Sequence, residues 1–313
     1  MKSSAMILLL FCLIIGSAAT IRVIGSGANI PADSQSDLAR LIESLKSPNA
    51  EERASAACKL GELAESAAPA IPNLINLLSD ETSVGAYDCG RKRNSVQSDE
   101  DTVGRIAGVA LARIGPLAVE PLAVVLKTQD VVARKNAAFA LGLLKDDRTV
   151  ELLIAAITDS SGPVRAQAAW GLGLKRDPRV VEPLITALKD AEWEVREQAA
   201  WASGLSGNRD SAAPLSAALT DSHARVRSQA AWALGLQGNK NSVEPLMVAL
   251  KDSDVEVRTQ AAWALGLKGD YRAVDALSAA TRDDNNHVRK QATWALGMIM
   301  MRDNRAANMK PKN

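Results

Sequence analysis

The octapeptide QAAWALGL at Gln260–Leu267 decides the fold, because the chain writes it repeatedly. Close copies stand at QAAWGLGL (Gln167–Leu174), QAAWASGL (Gln198–Leu205), QAAWALGL (Gln229–Leu236) and QATWALGM (Gln291–Met298). Trp170, Trp201, Trp232, Trp263 and Trp294 follow one another at intervals of 31 residues, and Phe139 lies 31 before the first. Arg134, Arg165, Arg196, Arg227, Arg258 and Arg289 keep the same interval. So do Asp159, Asp190, Asp221, Asp252 and Asp283. Pro121, Pro183, Pro214 and Pro245 lie on the same lattice, with Leu152 in the missing slot. A fixed period of this length marks stacked supersecondary units.

One whole unit reads VVEPLITALKDAEWEVREQAAWASGL, Val180–Leu205. Its first half is predicted helical: Val181, Leu184, Ile185 and Leu188 form an i, i+3, i+4, i+7 stripe. Pro183 fits near the start of that helix, where a missing N–H costs little. Lys189–Glu194 reads as a polar turn, Val195–Leu205 as a second, alanine-rich helix, and Gly207-Asn208 as the exit turn. Such a hairpin cannot bury both apolar faces alone, so the copies must stack.

The pattern VEPLITAL…D…VR.QAAWALG resembles the HEAT-repeat superfamily, in particular the short HEAT-like repeats of the phycobilin lyase type. The resemblance covers about residues 36–303. It implies an all-α fold, a right-handed α-α superhelix of the HEAT/armadillo kind with about eight hairpins. Unit 1 is expected at about 36–66 and unit 2 from IPNLINLLSD to VGRIAGVALARIG. Six regular units follow to 303. Unit 2 is interrupted by the polar stretch Glu81–Asp101, expected as a long loop between its two helices. The remaining divisions are a leader at 1–19, a linker at 20–35 and a tail at 304–313.

The leader reading rests on Lys2, the apolar run Met6–Ile15 and the small residues Ser17-Ala18-Ala19. The run is short for a membrane span of about 20 residues, and Arg22 blocks its extension. Export with cleavage after Ala19 is expected, to a secreted or periplasmic location, with a retained N-terminal anchor as the alternative. Cys12 would leave with the leader. Cys58 and Cys89 would remain in an oxidising compartment that permits them to pair. With 37 basic and 36 acidic residues, charge points to neither nucleic acid nor an anionic membrane.

At about 100° per residue, Val226, Ala230, Leu234, Ala231 and Ala233 share one arc of the second helix, with Arg227 inside it. Trp232 falls opposite, near Gln229. In the resembling family the second helices line the concave surface. The resemblance therefore implies an inner row of Phe139, Trp170, Trp201, Trp232, Trp263 and Trp294, flanked by Gln167, Gln198, Gln229, Gln260 and Gln291. Trp193, in a turn, is expected at the rim. Three uses stay open for the row: structural lining, a groove for a protein or peptide, and stacking on carbohydrate. Second helices about 8–10 Å apart would not permit regular indole stacking, so each ring is expected over the next unit's glutamine. Asp and Arg read as an inter-unit ladder, with Asp capping the second helix and meeting a neighbouring Arg.

Catalytic signals are scarce. His223 and His287, the two histidines, occupy different slots. Each lacks the following Glu of the iron-binding His-Glu pairs of deoxyhypusine hydroxylase, another HEAT-like protein. No metal site, catalytic residue or cofactor is expected, nor is a plausible Cys-His arrangement of the lyase kind. The reading is an exported, non-catalytic scaffold that binds a protein or peptide along a Trp/Gln-lined groove. Its alternatives are an enzyme or accessory of the bilin lyase or deoxyhypusine hydroxylase type, and a carbohydrate-binding solenoid. Met298–Met301, with no polar capping unit after them, suggest end-to-end self-association.

Overall fold

A computed structural model describes residues 32–85, 87–88, 91–92, 101–237 and 240–308. The leader at 1–19, Cys12, Cys89 and most of the insert lie outside these residues. The chain divides into two units, Met1–Asp37 and Leu38–Asn313, and the helical array belongs to the second.

Sixteen α-helices among the described residues pair into eight hairpins. Unit 1 is α1 (Ala32–Ser44) and α2 (Ala50–Glu62). Unit 2 is α3 (Ile71–Asn76) and α4 (Val103–Ile114), and unit 3 is α5 (Val119–Val125) and α6 (Val131–Leu143). Unit 4 is α7 (Arg148–Ala156) and α8 (Gly162–Gly173), and unit 5 is α9 (Val181–Ala187) and α10 (Trp193–Ser206). Unit 6 is α11 (Ala212–Ala218) and α12 (Ala224–Leu236), and unit 7 is α13 (Val243–Ala249) and α14 (Val255–Lys268). Unit 8 is α15 (Val274–Ala280) and α16 (Asn286–Asn308). The first described helix thus begins four residues before the expected 36, and the last runs past 303.

Second helices pack on second helices along the array, and in units 2 to 8 each first helix packs on the second helix of its own unit. The core between the two layers is built from the predicted stripe: Leu153, Leu184, Leu215, Leu246 and Leu277 from first helices, Leu172, Leu234 and Leu265 from second helices, all sealed from solvent. Most first helices are shorter than the pattern suggests. In units 5 to 8 each starts in a 3₁₀ turn, such as Pro178–Val180, before its seven α-helical residues. Asp177 Oδ1 fixes that turn by accepting from Arg179 N at 2.8 Å. Gly207, left-handed at φ 64°, closes α10 as its sequence position suggests. The second helix of unit 5 begins at Trp193 rather than Val195, so Trp193 belongs to the helix and not to the turn.

The insert retains a short order of its own. Ser83 bridges Thr102, and β1 (Tyr87–Asp88) pairs antiparallel with β2 (Arg91–Lys92). Cys58 on α2 is buried and disulfide-bonded. The expected partner, Cys89, lies outside the described residues.

Candidate functional site

The Arg and Asp rows meet at every junction they span. Arg165 Nε and Nη2 grip Asp190 Oδ2 and Oδ1 at 2.7 and 2.8 Å. The same bidentate pair joins Arg134 to Asp159, Arg196 to Asp221, Arg227 to Asp252 and Arg258 to Asp283. Arg53 and Asp80 extend the row to the first junction. Each Arg also turns Nη1 inward onto its own turn, as Arg227 does to Asp221 O at 2.9 Å. The aspartate closes that turn rather than capping the helix: Asp252 Oδ1 accepts from Asp254 N, and Asp254 then caps α14 through Glu256 N and Val257 N. Burial is the largest single influence on Asp252 and raises its pKa. The hydrogen bonds from Arg227 and Asp254 N, with the guanidinium charge, outweigh it and hold the carboxyl below 3.8.

The aromatic row is wedged between helices. A methyl placed on Gly173 would stand 3.0 Å from Trp201 Cζ3 and 2.8 Å from Ala202 Cα. On Gly204 it would stand 2.9 Å from Trp232 Cζ3, and on Gly235 2.7 Å from Trp263 Cζ3. Gly142 and Gly266 receive Trp170 and Trp294 in the same way. Each indole therefore fills a notch on the preceding second helix, above the glycine three residues after that helix's own aromatic. This corrects the expectation of rings lying over the next unit's glutamine. Glycine brings the helix backbones together, and rings stack at the start of the row only, so that among the described residues no regular indole stacking runs along it. Phe139 and Trp170 stack at 5.2 Å, and Trp170 and Trp201 at 6.5 Å with 8° between planes.

The row is accordingly not an open strip. Phe139 is buried at 5% exposure, under Arg105, whose Cζ lies 4.0 Å above the ring. Trp170, Trp201, Trp232 and Trp263 are half-buried, and Trp294 is 38% exposed. Gln167, Gln198, Gln229, Gln260 and Gln291 are all half-buried. Gln260 turns its amide to Glu256 Oε1 on its own helix, at 2.7 Å.

Part of both rows converges on a cleft of about 670 Å³ at the N-terminal ends of α8, α10 and α12. Gln167, Trp170 and Gln198 line it together with Trp193. Trp193 stacks on His223 at 3.8 Å and 10°, and Arg225 lies 5.7 Å from its ring. Glu192, Glu194 and Glu197 line this space together with Arg105, Lys135 and Arg225. Burial pushes the Glu197 carboxyl up, with Arg225 and His223 pulling it down. Trp232, Trp263, Trp294, Gln229, Gln260 and Gln291 do not line this cleft. The offered chemistry is aromatic faces, amides and charges of both signs. Among the described residues, no three His, Cys, Asp or Glu side chains are placed to hold a metal ion.

Two features escaped sequence reasoning. Trp193 was expected at the rim and instead forms a wall of the cleft. A second ladder runs on the exposed edge, where Arg148, Arg179 and Arg272 reach Glu120, Glu151 and Glu244 of the preceding unit. The partners are 28 residues apart throughout, which is a readable signal.

Models of HEAT repeats match residues 150–235 and 243–309, and the PBS lyase HEAT-like repeat matches 133–159 and 226–252. The chain is a HEAT-repeat protein. No curated protein matches it at a significant level. Among solved structures, Escherichia coli YibA is 20% identical with a TM-score of 0.57, over 88% of this chain and 99% of YibA. Kap121p gives a TM-score of 0.65 at 15% identity, over 86% of this chain and 34% of its own. Kap95p, in a structure where its binding switches the loops of RanGDP to the GTP-bound conformation, gives 0.52 at 18%, over 89% and 40%. These likenesses place the chain in the HEAT solenoid fold, and the chain spans well under half of the two Kap proteins.

Proposed function

We propose that this HEAT-repeat protein is an exported, non-catalytic scaffold that holds an extended peptide segment of a protein partner in the cleft at the starts of α8, α10 and α12. The observation that carries the reading is the meeting of Trp170, Trp193, Gln167 and Gln198 in one concave space lined also by charges of both signs. Aromatic anchors ringed by polar groups concentrate binding energy in a few residues. An extended segment supplies backbone amides for the glutamines and alternate side chains for the rings. Kap95p, of similar fold, acts by binding a protein. Export is inferred from the leader-like segment 1–19. Among the described residues no helix is long and apolar enough to cross a membrane.

Selection of a random peptide library on the full chain tests the reading. Enriched peptides are expected to lose about tenfold or more in affinity against Trp193→Ala, which empties one wall of the cleft. They are expected to bind Val248→Ser, altered at an exposed position of α13, unchanged. Equal binding to all three proteins refutes the cleft as the site. N-terminal sequencing of the exported fraction tests cleavage after Ala19.

A further inference from the structure

Every internal junction after unit 3 is made by two half-contacts. The leading unit supplies an arginine fork and a glycine notch, and the following unit supplies a carboxylate and an indole. The carboxylate precedes the indole by the same step each time, as in Asp190 and Trp201 or Asp252 and Trp263. Unit 8 carries the leading half again. Arg289 Nη1 donates to Asp283 O and Asp284 O at 2.8 Å, as its counterparts do in their own turns. No carboxylate among the described residues takes its fork. Gly297 occupies the notch position, three residues after Trp294, and a methyl placed there meets nothing within 4 Å. Trp294 is exposed beside it, with Met300 and Met301 further along α16 at 53% and 63%.

We propose that this face of α16 docks a helical hairpin of a different protein, one bearing an aspartate in its turn and an indole eleven residues later. Charge complementarity and shape both come from the internal junctions, where the same two sockets are filled five times. Among the described residues, the first hairpin of a second copy does not offer the complement. Arg53 Nη1 donates to Ser47 O and Pro48 O, which identifies Ser47 as the counterpart of the ladder aspartate. Cys58, five residues after Arg53, holds the indole slot and is buried in a disulfide. The first unit therefore brings neither carboxylate nor indole, and the end-to-end association suggested by the sequence lacks its matching half.

The test uses a helix-stapled, fluorescein-labelled peptide of residues 252–268, which carries Asp252 and Trp263; stapling replaces the nucleation that so short a helix lacks. Anisotropy titration with the full chain is expected to show saturable binding below about 1 mM, a modest affinity for one helix. Gly297→Leu in the protein is expected to weaken it about tenfold, as are Asp252→Ala and Trp263→Ala in the peptide. Gly297→Leu fills open space, so folding is preserved, and circular dichroism verifies this. Absence of saturable binding overturns the proposal, as does binding indifferent to Gly297→Leu. A molecular mass that doubles with concentration and reverts in Gly297→Leu also overturns it, because a second copy would then be the occupant.

Discussion

Substituting alanine at two glycines of the same repeat slot should give opposite results. Gly235→Ala puts a methyl 2.7 Å from Trp263 Cζ3 and 3.0 Å from Ala264 Cα. The ring is clamped between helices and Ala264 Cα is backbone, so neither can yield without shifting α14 against α12. Overpacking of this kind costs about 1–3 kcal/mol, from which a helix-propensity gain of about 1 kcal/mol is subtracted. The net expectation is a loss of up to about 2 kcal/mol. Gly297→Ala meets nothing, so only the propensity term acts, and the variant is expected to gain about 0.5–1 kcal/mol. Urea unfolding followed by circular dichroism reads both through their midpoints, the appropriate quantity for an array with nearest-neighbour coupling. In a Trp263→Ala background the Gly235→Ala loss should shrink, because one of its two obstacles is gone. Midpoint shifts of equal sign and size for Gly235→Ala and Gly297→Ala would refute the notch as the reason for the glycine.

Further outcomes follow from the ladder, the buried lysines and the disulfide. Asp252→Asn leaves Arg227 part-buried without its counter-charge and should cost about 1–3 kcal/mol by thermal or urea melting. The ladder aspartates have folded pKa values below the ordinary 3.8; their contribution is present above that value and disappears as pH falls through the lowered ones, so acid unfolding should begin below about pH 4 and be less steep in Asp252→Asn. Burial lowers Lys175 and Lys268 to about 8 from 10.5. Between those values the unfolded chain binds more protons, so stability should rise with pH from about 8 to 10, and Lys268→Met should flatten the rise in a pH series of melts. Reducing the Cys58 disulfide should lower stability by about 2–4 kcal/mol, measured as the midpoint shift on adding reductant, with no such shift in Cys58→Ser.

The fold was legible because its evidence repeats. Leu184, Leu215 and Leu246 fall in one register, Arg165, Arg196 and Arg227 in a second, and Asp190, Asp221 and Asp252 in a third, which requires the members of each row to occupy equivalent places. The orientation of the indoles was harder. A helical wheel put Trp232 opposite the core stripe, yet the half-buried ring packs against the core; a wheel contains no neighbouring helix. What covers Trp232 is the backbone of α10 at Gly204, admitted because that residue lacks a side chain. The signal stood in the motif itself, as the glycine of ALG three residues after each tryptophan. Trp193 was hidden for another reason: it lies outside the repeating slots, and its place on the cleft wall follows from α10 starting two residues before the expected Val195. Nothing in the period alone indicates that Trp193 and His223, in successive units, lie face to face.

The paired clamp makes the chain divisible. Excising Asp190–Thr220, one full period, splices Lys189 to Asp221. Arg165 then meets Asp221 in place of Asp190, and Trp232 drops onto Gly173 in place of Gly204. The wound closes with the same bonds it opened. Loss or gain of whole periods heals at any seam flanked by the ladder, whereas an excision one residue out of step leaves both the guanidinium and the ring without a seat.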